Sequence, residues 1–176
     1  MNYTRIVCLD LEMCCWNVDG VGSTGEIIEV GLAEIDLEKG DIVKRAQYYV
    51  RPEKDEVSEF CTELTGISSR TIRKQGRPLA DVLQSMTKNF GGTNKIYASW
   101  GRDDAILRAE CQSKGLAMPF REFINLATLY RIQNRIKNQR IGHRAAQEAK
   151  GIEWQGRQHS GYVDAYNLAR LALTML

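Results

Sequence analysis

Residues 5–11, Arg-Ile-Val-Cys-Leu-Asp-Leu, followed at once by Glu12, decide the fold. The apolar run has the length of a central strand buried on both faces, too short for a core helix. Two acids close it. Asp10 and Glu12 stand two apart, so on a strand they emerge from the same face. Like charges that close repel, and burial adds to the cost. At an exposed strand end such a pair needs no function. At the carboxyl end of a central strand it makes a divalent-metal site, whose hard oxygen ligands suit Mg²⁺ or Mn²⁺.

Working outward, residues 27–35 (IIEVGLAEI) and 42–50 (IVKRAQYYV) read as two further strands, with hairpin-turn chemistry around Lys39-Gly40 between them. Helical spacing takes over after Pro78. Leu79, Val82, Leu83, Met86 and Phe90 form one apolar stripe, which Gly91-Gly92 ends. A fourth strand is expected over 95–100 (KIYASW), a helix from 103 to about 114, and a short fifth strand over 123–126. Helices are expected over 128–137, 142–150 and 162–175. A strand meander followed by alternating strands and helices predicts an α/β fold, a mixed central sheet with helices packed on its faces. No linker or repeat interrupts residues 1–176, so one domain is expected.

Two more places set acids in apolar company. Asp164 begins a helix whose Leu168, Leu171, Ala172 and Met175 share its stripe, so the carboxylate faces inward and wants a cation; a charge in the first helical turn is the plainer explanation. His159 lies five residues earlier at the loop-to-helix junction, beside Gly161, which permits an unusual loop. The other histidine repeats that spacing (His143, Glu148), and this pair reads as solvated helix surface. The third place is Asp103 or Asp104, just past the 95–100 strand. Asp103 has Ile106 and Leu107 at i+3 and i+4, which favours it over Asp104; either would also serve as a helix cap.

Composition sets the limits. The chain has 176 residues, 43% of them apolar, with net charge +2 and five cysteines in no metal-knuckle spacing. No run approaches the ~18–20 apolar residues of a membrane span, and no signal-peptide pattern opens the chain. These features point to a soluble, cytoplasmic protein of a reducing compartment. The net charge hides a gradient, since residues 1–60 carry 6 basic and 13 acidic side chains and residues 61–176 carry 18 and 9. Residues 121–157 hold eight Lys/Arg against three acids, which offers phosphate contacts or simply a solvated face.

The order Asp-x-Glu, a strand-end Asp, then His-x-x-x-x-Asp resembles the DEDDh superfamily of 3′→5′ exonucleases, and within it the Eri-type exoribonucleases. CLDLEMCCW (8–16), EFCTELTGIS (59–68), ASWGRD (98–103) and GIEWQGRQHSGYVDAYNLARL (151–171) carry the likeness. The resemblance implies a ribonuclease-H-like fold and hydrolysis of phosphodiester bonds at nucleic-acid 3′ ends, RNA before DNA. It implies that Asp10, Glu12 and Asp164 hold two ions, Mg²⁺ or Mn²⁺, with Asp10 bridging and Asp103 supporting the second through water. His159 would be the general base, a role that histidine's ordinary pKa near ~6.5 suits. Two ions about 3.5–4 Å apart stabilise both the attacking and the leaving oxygen of an in-line displacement. By the same resemblance the Met13 backbone amide would meet the terminal 3′-hydroxyl and Leu64 would wedge the terminal bases apart. Trp100 offers a face for stacking a base; Met13, Leu64 and Trp100 also suit a core. The rival readings are a DNA-directed exonuclease and, from another class, a non-catalytic nucleic-acid-binding module on the same fold.

Overall fold

The computed structural model describes residues 3–18 and 21–176. Five strands form one sheet in the order β3-β2-β1-β4-β5. β1 (Arg5–Val18) pairs antiparallel with β2 (Val21–Asp36), which pairs antiparallel with β3 (Asp41–Tyr49). β4 (Ile96–Ser99) and β5 (Glu122–Asn125) run parallel to β1 on its other side. β1 is therefore the central strand, as its apolar run predicts.

Strand alternation splits the core in two. Val7, Leu9 and Leu11 face α3 (Leu79–Phe90) and α4 (Asp103–Ser113), packing with Leu79, Val82, Met86, Phe90 and Leu107. Ile6 and Cys8 face the other layer, where α5 (Leu126–Gln133), α6 (His143–Ala149) and α7 (Gly161–Ala172) supply Leu126, Ala146, Leu168 and Leu171. The even-numbered face continues through Asp10 and Glu12. The two acids thus leave the apolar core on the side that α7 covers.

Several boundaries differ from the sequence expectation. β1 and β2 run past residues 11 and 27 into a long hairpin, with register shifts at Glu12/Met13 and Met13/Cys15. Those shifts move the alternation out of phase, so a period-2 pattern stops being readable at Glu12. Two short helices, α1 (Glu59–Thr65) and α2 (Ser69–Gln75), fill a stretch for which no helix was expected. Ser58 and Ser68 cap them by accepting the backbone N–H of Cys61 and of Thr71, and Gly66 (φ 79°) ends α1. α5 stops at Gln133 rather than at 137, because Arg135 and Asn138 take left-handed backbone conformations (φ 53° and 52°). Among the described residues, no helix is long and apolar enough to cross a membrane.

Candidate active site

The site is built where β1, β4 and the N-terminus of α7 meet. In the antiparallel register Glu12 faces Glu29 and Asp10 faces Gly31. A Cβ on Gly31 would lie 1.9 Å from the Gly161 carbonyl oxygen, so glycine there lets the first turn of α7 lie directly on the sheet. Gly161 repays the contact, since its own Cβ would meet the Asp10 carbonyl oxygen at 3.1 Å and Glu29 at 3.3 Å. Glycine at 161 therefore serves close approach. The unusual loop conformation belongs to His159 itself (φ 60°), which corrects the sequence expectation.

That docking brings Asp164, in the first turn of α7, over the end of β1. Glu12, His159 and Asp164 each offer a ligand atom within 4.8 Å of the others. Asp10 and Asp103 line the same cleft of about 320 Å³ with His159 and Asp164, whereas Asp104 does not. Asp103 is fixed by the Leu11 backbone N–H, which donates to its Oδ1 at 3.2 Å. The His159 backbone N–H donates to Asp164 Oδ2 at 3.0 Å. Asp164 Oδ1 is buried with no hydrogen-bond partner among the described residues.

Electrostatics report the same crowding. Burial pushes the Asp10 carboxyl well above the carboxylate range, and Asp103, Asp164, Glu12 and Glu29 push it further. Burial and the charges of Asp164, Glu29 and Asp103 raise Glu12 to about 8. Burial raises Asp164 to about 7, against the lowering effect of the His159 amide, and the Glu29 charge adds to the rise. Burial also raises Asp103, opposed by hydrogen bonds from Ser99 and Leu11. These groups cannot all ionise unless a positive charge joins them. The orphaned Asp164 oxygen, the converging hard donors and the shared repulsion fit a divalent cation, which Asp10, Glu12 and Asp164 would hold.

The comparisons with known proteins agree. Residues 7–172 match the family described as exonuclease. The chain belongs to that family. Within it, this exonuclease-family chain is a DEDDh-type member close to the Eri-type enzymes. It is 32% identical to ERI1 exoribonuclease 2 of Mus musculus, an alignment spanning 99% of the chain and 29% of the relative. It is 30% identical to 3′-5′ exoribonuclease 1 of Rattus norvegicus over 99% of the chain and 53% of the relative. The chain thus spans well under two thirds of these relatives. The nuclease domain of 3′hExo, a DEDDh family member solved bound to rAMP, superposes with a TM-score of 0.85 at 28% identity, covering 98% of this chain and 92% of that one. The α/β fold is accordingly ribonuclease-H-like, and the family implies divalent metal ions.

The exonuclease-family site also holds residues that sequence reasoning missed. Glu29 is 1% exposed on β2. Its carboxylate accepts the Gly161 and Tyr162 backbone N–H groups at 3.0 Å each and Gln47 Nε2 at 2.8 Å, which ties the start of α7 to the sheet. Arg157, two residues before His159, donates to the carbonyl oxygens of Glu63 and Leu64, joining the histidine loop to the end of α1. His143 corrects the expectation of a solvated surface pair. Glu148 pairs instead with Arg144 at 2.8 Å. The His143 ring lies 5.5 Å from Trp100 and 5.0 Å from Trp154 in the cleft wall, and burial lowers its pKa to about 4.

Of the three expected substrate contacts, Trp100 lines the cleft while Met13 and Leu64 are not among its lining residues, and each has other partners. His143 stacks on the Trp100 ring, and Trp100 Nε1 donates to the Ile141 carbonyl at 3.0 Å. Met13 packs partly against the α3 core, and its carbonyl accepts the Cys61 thiol at 3.5 Å. Leu64 is half-buried on α1 against the cluster of Cys14, Cys15, Ile28 and Cys61.

Proposed function

We propose that this chain is a divalent-metal-dependent 3′→5′ exonuclease that shortens RNA from its 3′ end. What supports this most is the convergence of Glu12, His159 and Asp164 within 4.8 Å, with Asp10 and Asp103 in the same cleft. Two bound Mg²⁺ or Mn²⁺ ions would supply a hydroxide near neutral pH and neutralise charge on the attacking and leaving oxygens. Asp10, Glu12 and Asp164 would hold them, with Asp103 adding its carboxylate to the same cleft. His159 takes the proton of the attacking water, from a loop that Asp164 and Arg157 anchor on either side.

The Met13 backbone amide meets the terminal 3′-hydroxyl, Leu64 wedges the terminal bases, and the free part of Trp100 supports a base. RNA is favoured over DNA because the relatives are named exoribonucleases and the 3′hExo nuclease domain was solved with a ribonucleotide. The test is a time course on matched RNA and DNA oligonucleotides, each labelled at the 3′ or the 5′ end, with Mg²⁺, Mn²⁺ or EDTA. Immediate loss of the 3′ label as mononucleotide, gradual shortening of the 5′-labelled strand and faster turnover of RNA are expected. Faster turnover of DNA would assign it to DNA ends, and metal-independent binding without cleavage would make it a binding module.

A further inference from the structure

We propose that the outer edge of α5 and the loop after it form a track for the phosphate backbone of the nucleic-acid strand leading away from the cleft. The inference rests on the exonuclease reading and deepens it, because it names the surface that holds the part of the substrate not being cut.

The first observation is a gap in the charge pattern. The chain carries 22 Asp+Glu in 176 residues, yet the 25 residues from 123 to 147 contain none, against five basic residues: Arg131, Arg135, Lys137, Arg140 and Arg144. Where acids do lie near, basic side chains can pair across elements, as Lys95 does with Glu34 and Lys114 with Glu26. Among the described residues of this segment, only Arg144 forms an ion pair, with Glu148. Unpaired cations repel one another, and a polyanion relieves that repulsion.

The second observation is shape. Arg131, Ile132, Arg135, Ile136 and Lys137 line a groove of about 550 Å³. Ile132 is 68% exposed between the cations, an apolar surface suited to a ribose or base edge. The loop holds its charges outward by fixed contacts. The Ile136 N–H donates to the Arg131 carbonyl at 2.9 Å, and Gln133 Nε2 donates to the Met175 carbonyl at 2.9 Å. Arg135 and Asn138 are held at φ 53° and 52°, a cost that non-glycine residues bear where the surroundings fix them.

The third observation is continuity with the cleft. The loop returns to it at Ile141, whose carbonyl accepts Trp100 Nε1, and Gly142, His143 and Arg144 then line the cleft itself. In sequence the cations thus run from the groove, through Arg140, to Arg144 in the lining of the cleft. The groove lies towards the C-terminal end of α7, where Gln133 meets the Met175 carbonyl, so a strand with its 3′ end in the cleft would meet it several nucleotides upstream.

The probe is fluorescein-labelled oligo(U) of 4 or 20 nucleotides, with binding read by anisotropy in EDTA and turnover read in Mn²⁺. The triple variant Arg131→Gln/Arg135→Gln/Lys137→Gln is compared with wild type and with Lys39→Gln/Lys74→Gln/Lys88→Gln, which removes the same charge from other exposed elements. Each single-strand phosphate contact contributes about 0.7 to the slope of log K against log salt, so the groove variant should lose about 2 units of slope and about 100-fold in 20-mer affinity at 0.1 M salt. Turnover of the 4-mer should stay at the wild-type level, and the control variant should keep wild-type affinity and slope. Equal losses in the two variants, or unchanged binding in the groove variant, would overturn the track. Equal competition by polyglutamate would overturn its assignment to nucleic acid. Because binding is measured without metal, a wild-type protein that cuts neither oligonucleotide would count against the exonuclease reading while the track is still tested.

Discussion

Gly31 carries no chemistry of its own, yet replacing it should disable the site. A Cβ there would lie 1.9 Å from the Gly161 carbonyl oxygen, 2.0 Å from its carbon and 2.5 Å from the Tyr162 nitrogen. All three are backbone atoms, so no side-chain rotation relieves the clash. Reaching ordinary contact requires α7 to retreat by roughly 1.5 Å, and overpacking of that kind costs about 1–3 kcal/mol or more. In a chain of this size that lowers Tm by about 3–10 °C. The same retreat breaks the hydrogen bonds from Gly161 and Tyr162 to Glu29 and moves His159 and Asp164 away from Asp10. A displacement near 1 Å costs on the order of 10²-fold in turnover. The assay is Mn²⁺-dependent mononucleotide release by Gly31→Ala, alongside thermal melting. Gly22→Ala is the control, because nothing lies within 4 Å of a Cβ there. If Gly31→Ala melted and turned over like Gly22→Ala, the claim that α7 must lie directly on β2 to assemble the site would be wrong.

Other expected outcomes follow from single residues. His159→Ala should lower turnover by roughly 10²–10⁴-fold with RNA binding retained, and an equal loss of binding would refute its role as base. Arg157→Ala should reduce turnover about tenfold by freeing the histidine loop from α1, with partial rescue by added guanidinium; an unchanged rate refutes the anchor. His143 is held neutral in the folded chain, with its pKa lowered from 6.5 to about 4. Unfolded chains therefore bind the extra proton between those values, so this contribution is complete above pH 6.5 and lost as pH falls towards 4, on the order of 3 kcal/mol. His143→Gln should flatten the denaturation profile over that window, and an unaltered slope would contradict the buried, neutral assignment.

How far the sequence could be read depended on whether partners lay close in the chain. Asp10 and Glu12 were legible because two-residue spacing on a strand fixes a common face, and Asp164 because it shares a helical stripe with Leu168 and Leu171. The apolar run of β1 likewise announced a central strand. Its extension to Val18 was hidden by the register shifts after Glu12. α1 and α2, at seven residues each, are too short to show a helical period, although their serine caps and Gly66 were signals in plain view. Glu29 looked like one polar position in a strand, since the amides it accepts lie 132 and 133 residues away. His143 was misjudged for a related reason. Its spacing to Glu148 mimicked a surface pair, while the rings that enclose it, Trp100 and Trp154, lie outside its helix, 43 and 11 residues away.

The central claim is that mutual repulsion among the cleft carboxylates is relieved by divalent cations. Thermal melting of wild type and Asp10→Asn, each in EDTA and in Mn²⁺, tests it most directly. Asn at position 10 relieves the crowding that opposes ionisation of Asp10 and its neighbours, so Asp10→Asn should be at least as stable as wild type in EDTA. Mn²⁺ at a hundred times its Kd should add about 2.7 kcal/mol to wild type, a rise of about 5–10 °C, and should leave the variant nearly unmoved. A wild-type melting temperature indifferent to Mn²⁺, or an Asp10→Asn variant that rises with it equally, would contradict the account.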